Sequence, residues 1–403
     1  MGASNTILQP KIVMTLPMVD QTGAAKMALA FAREFTRREY SVVLLHGKVR
    51  SGHKGMLDDF RSVGADLVGN PTLGPALRPS VFRWMLRELK RADPVAAVCM
   101  FNITDAKFLG PACRLAGCPH VSSVQNDLVF YGNPVIRRLK AAVFGVIYRR
   151  TVDLAVCTSE KMRVALLREH GMPEDRLAVC PNGVETARMS QFSLPERSAT
   201  RKDLGVADDE VLLVNVGRLH PQKGQDVLIE AVSRLSVQCR TRIKLFLIGD
   251  ADPGKTEALT FVDGLRDKIS RYGLRQTVQL LGWRNDIPAL LHAADAYVHS
   301  ARYEGWPLAV LEAMAAGLPV IYSDCAGPIQ GFDDAKHGYC FKSGRADQLS
   351  HVLASLLAAE PEQLRAMGRN CRVLVEDKYE VSTVSKRFVD FVLGVARRPP
   401  MAS

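Results

Sequence analysis

The sequence predicts two doubly wound α/β domains facing each other across a cleft. Three observations predict it. The chain has 403 residues, more than one ordinary core of about 150 residues accommodates. Short apolar runs alternate with amphipathic helical patterns through both halves, the signature of parallel sheets with helices on both faces. A polar stretch from Arg188 to Asp209, carrying Ser193, Pro195 and Ser198, separates the two series and reads as a linker. Ligands of such sheets bind outside the carboxyl ends of the strands, so the cleft is the expected site.

The elements follow in order. Lys11–Leu16 reads as a strand, Thr22-Gly23 as a loop, and Ala24 to Arg38 as a helix. Ser41–Leu45, Val95–Met100, His120–Val124 and Asp153–Cys157 are further strands, and Ser159–His170 is a helix that Ser159 caps. The second half repeats the scheme with Val211–Val216, a helix over Gln225–Leu235, then Ile243–Ile248, Val278–Leu281, Ala296–His299 and Val320–Tyr322. Two helical segments close the chain, Glu362–Glu376 and Ser382–Val395. The expected division is residues 1–187, residues 188–380, and a C-terminal helix in 381–403 that crosses back to the first domain.

Hydrophobic residues make up 47% and charged residues 24%, a globular composition. No apolar run reaches the roughly 18 residues that a spanning helix requires. The nine cysteines are scattered without a C-x-x-C pair, which fits buried thiols in a reduced, cytoplasmic chain better than a disulfide framework or a zinc site. The first residues show no secretory pattern, and Met1-Gly2-Ala3-Ser4-Asn5-Thr6 matches the myristoylation pattern by chance. The net charge is +11, which calls for an anionic partner: nucleic acid, phosphorylated ligand or anionic lipid. Residues 1–190 hold 26 basic and 16 acidic side chains, whereas residues 191–403 hold 27 and 26. The surplus therefore belongs to the first half. There, Val135 to Arg150 clusters cations around an apolar middle, and Arg83, Arg87, Lys90 and Arg91 accompany Trp84 and Leu86. Either an anionic bilayer surface or ordinary solvated helix faces would explain both stretches. No aromatic-interleaved pattern supports nucleic acid.

Two segments carry chemistry. Tyr303-Glu304-Gly305-Trp306-Pro307-Leu308 leads from the strand Ala296–His299 into a helix that starts near Pro307 and stops at Gly317. The amides around Gly305, Trp306 and Leu308 form an anion site. Glu304 lies on the loop, and Glu312 lies about 7.5 Å along the helix. Paired carboxylates can accept hydrogen bonds from sugar hydroxyls, although the spacing alone favours an ordinary capped helix with Glu312 on its wet face. In the second segment, Gly217-Arg218-Leu219-His220-Pro221-Gln222-Lys223-Gly224 follows a strand and precedes a helix. Two cations beside a helix start oppose its dipole. An anionic diphosphate between Arg218 and Lys223 would remove that conflict, and a solvated turn is the alternative.

Together these segments resemble the retaining, GT-B fold glycosyltransferases of family 4. Gly217-Arg218…Lys223-Gly224 is similar to that family's donor motif, and Glu304…Glu312 matches its E-x7-E pair. Pro181-Asn182-Gly183-Val184-Glu185 resembles its interdomain crossing, and Leu280-Leu281-Gly282-Trp283-Arg284-Asn285-Asp286 its base-bordering loop. The resemblance implies an acceptor-binding first domain, a donor-binding second domain and transfer of a hexose from a UDP- or GDP-sugar with retention. Arg218 and Lys223 would hold the diphosphate with no obligatory metal and no cofactor. Glu304 would meet the transferred sugar and Glu312 the ribose. Backbone near Trp283 and Arg284 would meet the base, and Gly23 would let the first loop approach closely.

Two departures stand out. Gln125 occupies a position where relatives carry a histidine, and glutamine cannot shuttle a proton. Asp127 is a nearby carboxylate, or else a loop or cap residue. Gln330 stands where many relatives have glutamate. The expected partners are a nucleotide-sugar donor, a glycan or lipid-linked acceptor and an anionic membrane surface, without nucleic acid. The expected location is cytoplasmic, attached peripherally to the inner face of the membrane. A non-catalytic sugar-nucleotide or polysaccharide-binding module is the alternative function.

Overall fold

A computed structural model describes residues 9–20, 22–50, 54–74, 78–100, 106–125, 134–189, 193–251 and 256–397. The chain divides into two compact units, residues 1–183 with 381–403, and residues 184–380.

The first unit contains β1 Lys11–Val19, α1 Gly23–Arg37, β2 Ser41–Val49, α2 Gly55–Ser62, β3 Asp66–Gly69, α3 Pro79–Ala92 and β4 Ala96–Cys99. It continues through α4 Ala106–Ala116, β5 His120–Val124, α5 Pro134–Thr151, β6 Leu154–Cys157, α6 Glu160–His170 and β7 Leu177–Val179. The strands form one sheet in the order β3-β2-β1-β4-β5-β6-β7, and their pairings are parallel. Sheets covered on both faces need strands that are apolar throughout, and β4 and β6 are buried at every position. Ser159 caps α6 by accepting from the Met162 amide, as the sequence predicts.

The second unit runs α7 Thr186–Met189, α8 Leu194–Asp203, β8 Val211–Val216, α9 Gln225–Ser233, α10 Val237–Thr241, β9 Ile243–Ile248 and α11 Thr256–Arg271. Next come β10 Val278–Gly282, α12 Ile287–Ala293, β11 Ala296–His299, α13 Leu308–Ala315, β12 Val320–Ser323, β13 Gly338–Phe341, α14 Ala346–Ala358 and α15 Pro361–Lys378. Its parallel sheet has the order β10-β9-β8-β11-β12-β13. In both units the chain builds outward from the first strand to one edge, then returns to that strand's other side. The reversal lies between β1 and β4 in the first unit and between β8 and β11 in the second.

Two expectations need correction. The stretch Arg188–Asp209 is not a plain linker, because it contains α8. Ser193 and Glu196 form a reciprocal capping box, and Pro195 sits in the first turn. The buried Arg201 ties this helix to the Asp295 carboxylate at 3.0 Å and to the carbonyls of Ala293, Ala207 and Glu210. The unit boundary lies at Gly183/Val184 rather than at 187/188. Val184 donates to the Tyr379 carbonyl at 2.9 Å, and the Thr186 amide and hydroxyl donate to Glu380 at 3.1 and 2.5 Å.

The last helix, α16 Val381–Ala396, belongs to the first unit. Phe388 stacks on Phe31 of α1 with ring centroids 3.8 Å apart, and Asp390 accepts from Arg38 at 2.5 Å. The nine cysteines are free thiols, seven of them buried. No helix among the described residues is long and apolar enough to cross a membrane.

Candidate functional site

The second unit's reversal point joins the two motif segments. Open α/β sheets bind ligands where the strand order reverses, at the carboxyl ends of the strands. The turn after β8 and the loop after β11 are knitted together there. The Arg302 amide donates to the Gln222 carbonyl at 2.7 Å, Gln222 Nε2 to the Tyr303 carbonyl at 3.0 Å, and Ser300 Oγ to the Lys223 carbonyl at 3.1 Å. Arg302 also makes a two-pronged pair with Asp226 at 2.8 and 2.7 Å. Burial pushes the Asp226 carboxyl up, but this guanidinium outweighs it and holds the group below its usual range. Gly224 has φ +64°, and a Cβ there would lie 2.1 Å from the Ser300 carbonyl oxygen. Only glycine permits that approach.

The knot holds a charge pair between a half-buried lysine and a buried carboxylate. Lys223 Nζ engages Glu304 Oε1. His299 Nε2 lies 3.6 Å from the same oxygen. Burial alone pushes the Glu304 carboxyl up; the Lys223 ammonium and the His299 ring overcome it and hold the group at about 2. Burial pushes the His299 imidazole down, opposed by Glu304. Tyr297, two residues earlier on β11, donates to the Val216 carbonyl at 3.2 Å. Its hydroxyl is pushed well up by burial, with smaller contributions from the Glu312 and Glu304 charges. Both carboxylates of the E-x7-E pair therefore act on one point of the sheet.

The other second-unit candidates lie on the turn after β8, the loop after β10 and the segment from β11 into α13. A Cβ on Gly217 would meet the Lys223 methylenes at 3.6 Å, and one on Gly249 would lie 2.0 Å from the Gly217 carbonyl oxygen. Arg218 is exposed, and its carbonyl accepts from Gln225 Nε2 at 2.9 Å. The Gly249 amide donates to the Gly282 carbonyl at 2.8 Å, which links this turn to the loop after β10. On that loop Trp283 is 58% exposed, and Arg284 pairs with Asp286 at 2.8 and 2.5 Å. Helix α13 starts at Leu308, one residue after the expected Pro307. No side chain caps it, and no carboxylate sits in its first turn. Gly305 is buried on the loop and Glu312 is half-buried on the helix. Trp306 is buried in the core, tilted against Tyr379 with centroids 5.7 Å apart.

Three candidates belong to the first unit. Gly23 begins α1 directly after β1, at that unit's own reversal point. Gln125 follows β5 and is buried. It donates from Nε2 to Ser123 Oγ at 2.7 Å and accepts from Asn182 Nδ2 at 2.7 Å. Asp127 lies outside the described residues. Sequence reasoning missed His299, whose signal was a histidine ending an otherwise apolar strand.

Two family models match the chain: glycosyl transferases group 1 over residues 196–373, and Glycosyltransferase Family 4 over residues 21–188. The lipopolysaccharide glucosyltransferase WaaG of Escherichia coli K12 is 29% identical over 235 residues, 58% of this chain and 60% of that protein. An Escherichia coli UDP-Gal:alpha-D-GlcNAc-diphosphoundecaprenol alpha-1,3-galactosyltransferase is 25% identical over 291 residues, 70% of this chain and 72% of that protein. The crystal structure of Anabaena HepE in complex with UDP superposes with a TM-score of 0.81 at 20% identity, covering 95% of this chain and 100% of that one. The doubly wound units, the motif residues gathered at the β8/β11 reversal and the two adjoining family matches agree: the chain belongs to the family 4, group 1 glycosyltransferases of GT-B fold.

Proposed function

We propose that this protein moves a hexose from a nucleotide diphosphate sugar to a hydroxyl acceptor, with the anomeric configuration retained. The observation that carries the reading is the Lys223–Glu304 pair at the β8/β11 reversal point. A half-buried lysine paired with a buried carboxylate, on two loops, offers a cation for a diphosphate and an anion for sugar hydroxyls side by side. Arg218 and Lys223 hold the diphosphate, with the backbone of Gly217 and the amides of Gly305 and Trp306 beside it; the Leu308 amide, expected to join them, already donates to the Trp306 carbonyl at 3.1 Å. Glu304 accepts from the transferred sugar and Glu312 from the ribose. The loop at Trp283 and Arg284 borders the base. In the first unit, Gly23, Gln125 and Asp127 are the residues this reading assigns to the acceptor.

The chemical step balances on these groups. The acceptor oxygen bonds to the anomeric carbon as the bond from that carbon to the diphosphate oxygen breaks. The acceptor proton passes to a donor phosphate oxygen, so the products are the glycoside and a nucleoside diphosphate. Arg218 and Lys223 stabilise the charge that develops on the leaving group, a role that needs no metal. HepE has also been crystallised with UDP-glucose, which supports a uridine nucleotide as the first donor to try. Removing one such stabilising group costs about 100- to 1000-fold in turnover. Arg218→Ala and Glu304→Ala are each expected to lose that much in a donor-hydrolysis or transfer assay; wild-type turnover in both would refute the assignment. The second reading, a binding module without transfer, is favoured by the Gln125 amide, already engaged by Ser123 and Asn182. It predicts nucleotide binding with no turnover of any donor.

The acceptor in this reading is lipid-linked and met at an anionic membrane. Helix α5 buries Phe144 and Tyr148, while Val135, Leu139, Val143 and Val146 are exposed. At about 100° per residue the exposed four share a stripe opposite the buried pair. Arg138, Lys140 and Arg150 are exposed on the same helix. Apolar stripes with cations bind anionic interfaces. The full chain is expected to sediment with vesicles containing phosphatidylglycerol and not with phosphatidylcholine alone, and Leu139→Glu with Val143→Glu to abolish this. Equal binding to both vesicles would count against it.

A further inference from the structure

His299 ends β11 with a functional group that the transfer step above leaves unused. Its side chain is about 5% exposed. Neither ring nitrogen has a hydrogen-bond partner among the described residues. A buried polar group left without a partner is costly. A hydrophobic residue would avoid that penalty, so the imidazole needs a reason. The surroundings narrow it. On β8, the Asn215 amide group donates to the Val298 carbonyl at 2.7 Å. On β12, the register partner of His299 is Tyr322, whose hydroxyl is pushed up by burial. The charged groups that act on the ring are Glu304 and Lys223. Nε2 stands 3.6 Å from Glu304 Oε1, a few tenths of an ångström beyond a normal hydrogen bond.

Glu304 Oε1 is also the oxygen that Lys223 engages. On the donor reading above, Lys223 turns part of its charge to the diphosphate when the nucleotide sugar binds. A buried carboxylate that loses its cation tends to protonate. It would then offer one fewer acceptor to the sugar hydroxyls. We propose that His299 is a positioning residue for Glu304: its Nε2–H closes onto Oε1 as Lys223 shifts to the diphosphate, and so keeps the carboxylate ionised and aimed at the sugar. The inference rests on the donor reading. It concerns only the sugar end of the donor, so the nucleoside diphosphate without sugar should not sense His299.

That asymmetry sets the test. Full-length wild type, His299→Gln, His299→Asn and His299→Leu are titrated calorimetrically with UDP, GDP and ADP and with their glucose, galactose and mannose derivatives. A glutamine amide nitrogen falls where Nε2 lies, and an asparagine amide nitrogen where Nδ1 lies. His299→Leu and His299→Asn are expected to weaken the sugar nucleotide at least tenfold, with nucleoside diphosphate affinity within twofold of wild type. His299→Gln should recover sugar-nucleotide affinity to within about threefold. Equal losses for sugar nucleotide and diphosphate, no loss, or rescue by asparagine instead of glutamine would overturn the proposal. If His299→Leu does not fold, the glutamine and asparagine pair decides alone. Wild type that binds no nucleotide at all overturns the donor reading, and this inference with it; wild type that binds while the variants match it overturns this inference only.

Discussion

His120 shows how one residue sets a pH limit. It begins β5 fully buried, with Nδ1 3.0 Å from the Thr151 carbonyl oxygen. Burial, only partly offset by that bond, holds the imidazole near 4. The unfolded chain takes up this proton near pH 6.5 and the fold resists it until near pH 4. Stability is therefore full above about pH 6.5 and falls by roughly 3 kcal/mol as the pH drops to 4. His120→Asn keeps a nitrogen near Thr151 and has nothing to titrate, so denaturant midpoints at pH 7.5 and 4.5 should lie closer together than in wild type. Parallel losses would contradict this. At the same scale, the Gly217–Gly224 turn was legible because each residue type answers a local demand. Gly224 needs a positive φ, and Lys223 sits at an otherwise unfavourable helix start until Glu304 neutralises it. His299 was not legible as a partner of Glu304, because strand periodicity does not reveal which loop residue folds back over the end of a strand.

Elements were readable in proportion to their burial. Strands β5, β8, β9 and β11 match their sequence patterns residue for residue, since each is a short, mostly buried run bounded by turn residues. Strands β3, β7 and β13 escaped notice. β3 and β7 have no fully buried position, and each of the three has four residues or fewer. Helix α8 was mistaken for a linker because its surface is almost wholly polar, although Ser193, Pro195 and Glu196 spelled out its start. Among the contacts that tie the turn carrying the candidate site to the β11 loop, the closest is the packing of Gly224 on the Ser300 carbonyl. Gly224→Ala imposes both a left-handed backbone and a clash. It should lower the second unit's stability by at least about 2 kcal/mol, read by hydrogen exchange over β8 and β11. Unchanged protection there would show that the knot between the two loops is looser than described.

For the whole molecule, the +11 charge has acquired an address. The cations proposed for the donor sit in the nearly neutral second half, where Lys223 already has its carboxylate. The surplus lies in the first half, which includes the exposed α5 stripe. Sequence assigned the two doubly wound units, because they follow from the alternation of apolar runs and helical patterns; the return of α16 rests on long-range contacts such as Phe388 on Phe31, which no local pattern reveals. Nor could sequence fix the seam at Val184, which depends on pairing with Glu380 far along the chain. The central claim, a nucleotide diphosphate sugar held at the β8/β11 reversal, is tested most directly by thermal unfolding with a panel of UDP-, GDP- and ADP-sugars. A ligand at 100 times its Kd adds about 2.7 kcal/mol of stability, a shift of several degrees. Wild type is expected to be raised by one nucleotide series. Arg218→Ala, which alters an exposed side chain, should melt like wild type without ligand and lose most of that rise. No rise with any nucleotide sugar, or the same rise in both proteins, would contradict the account.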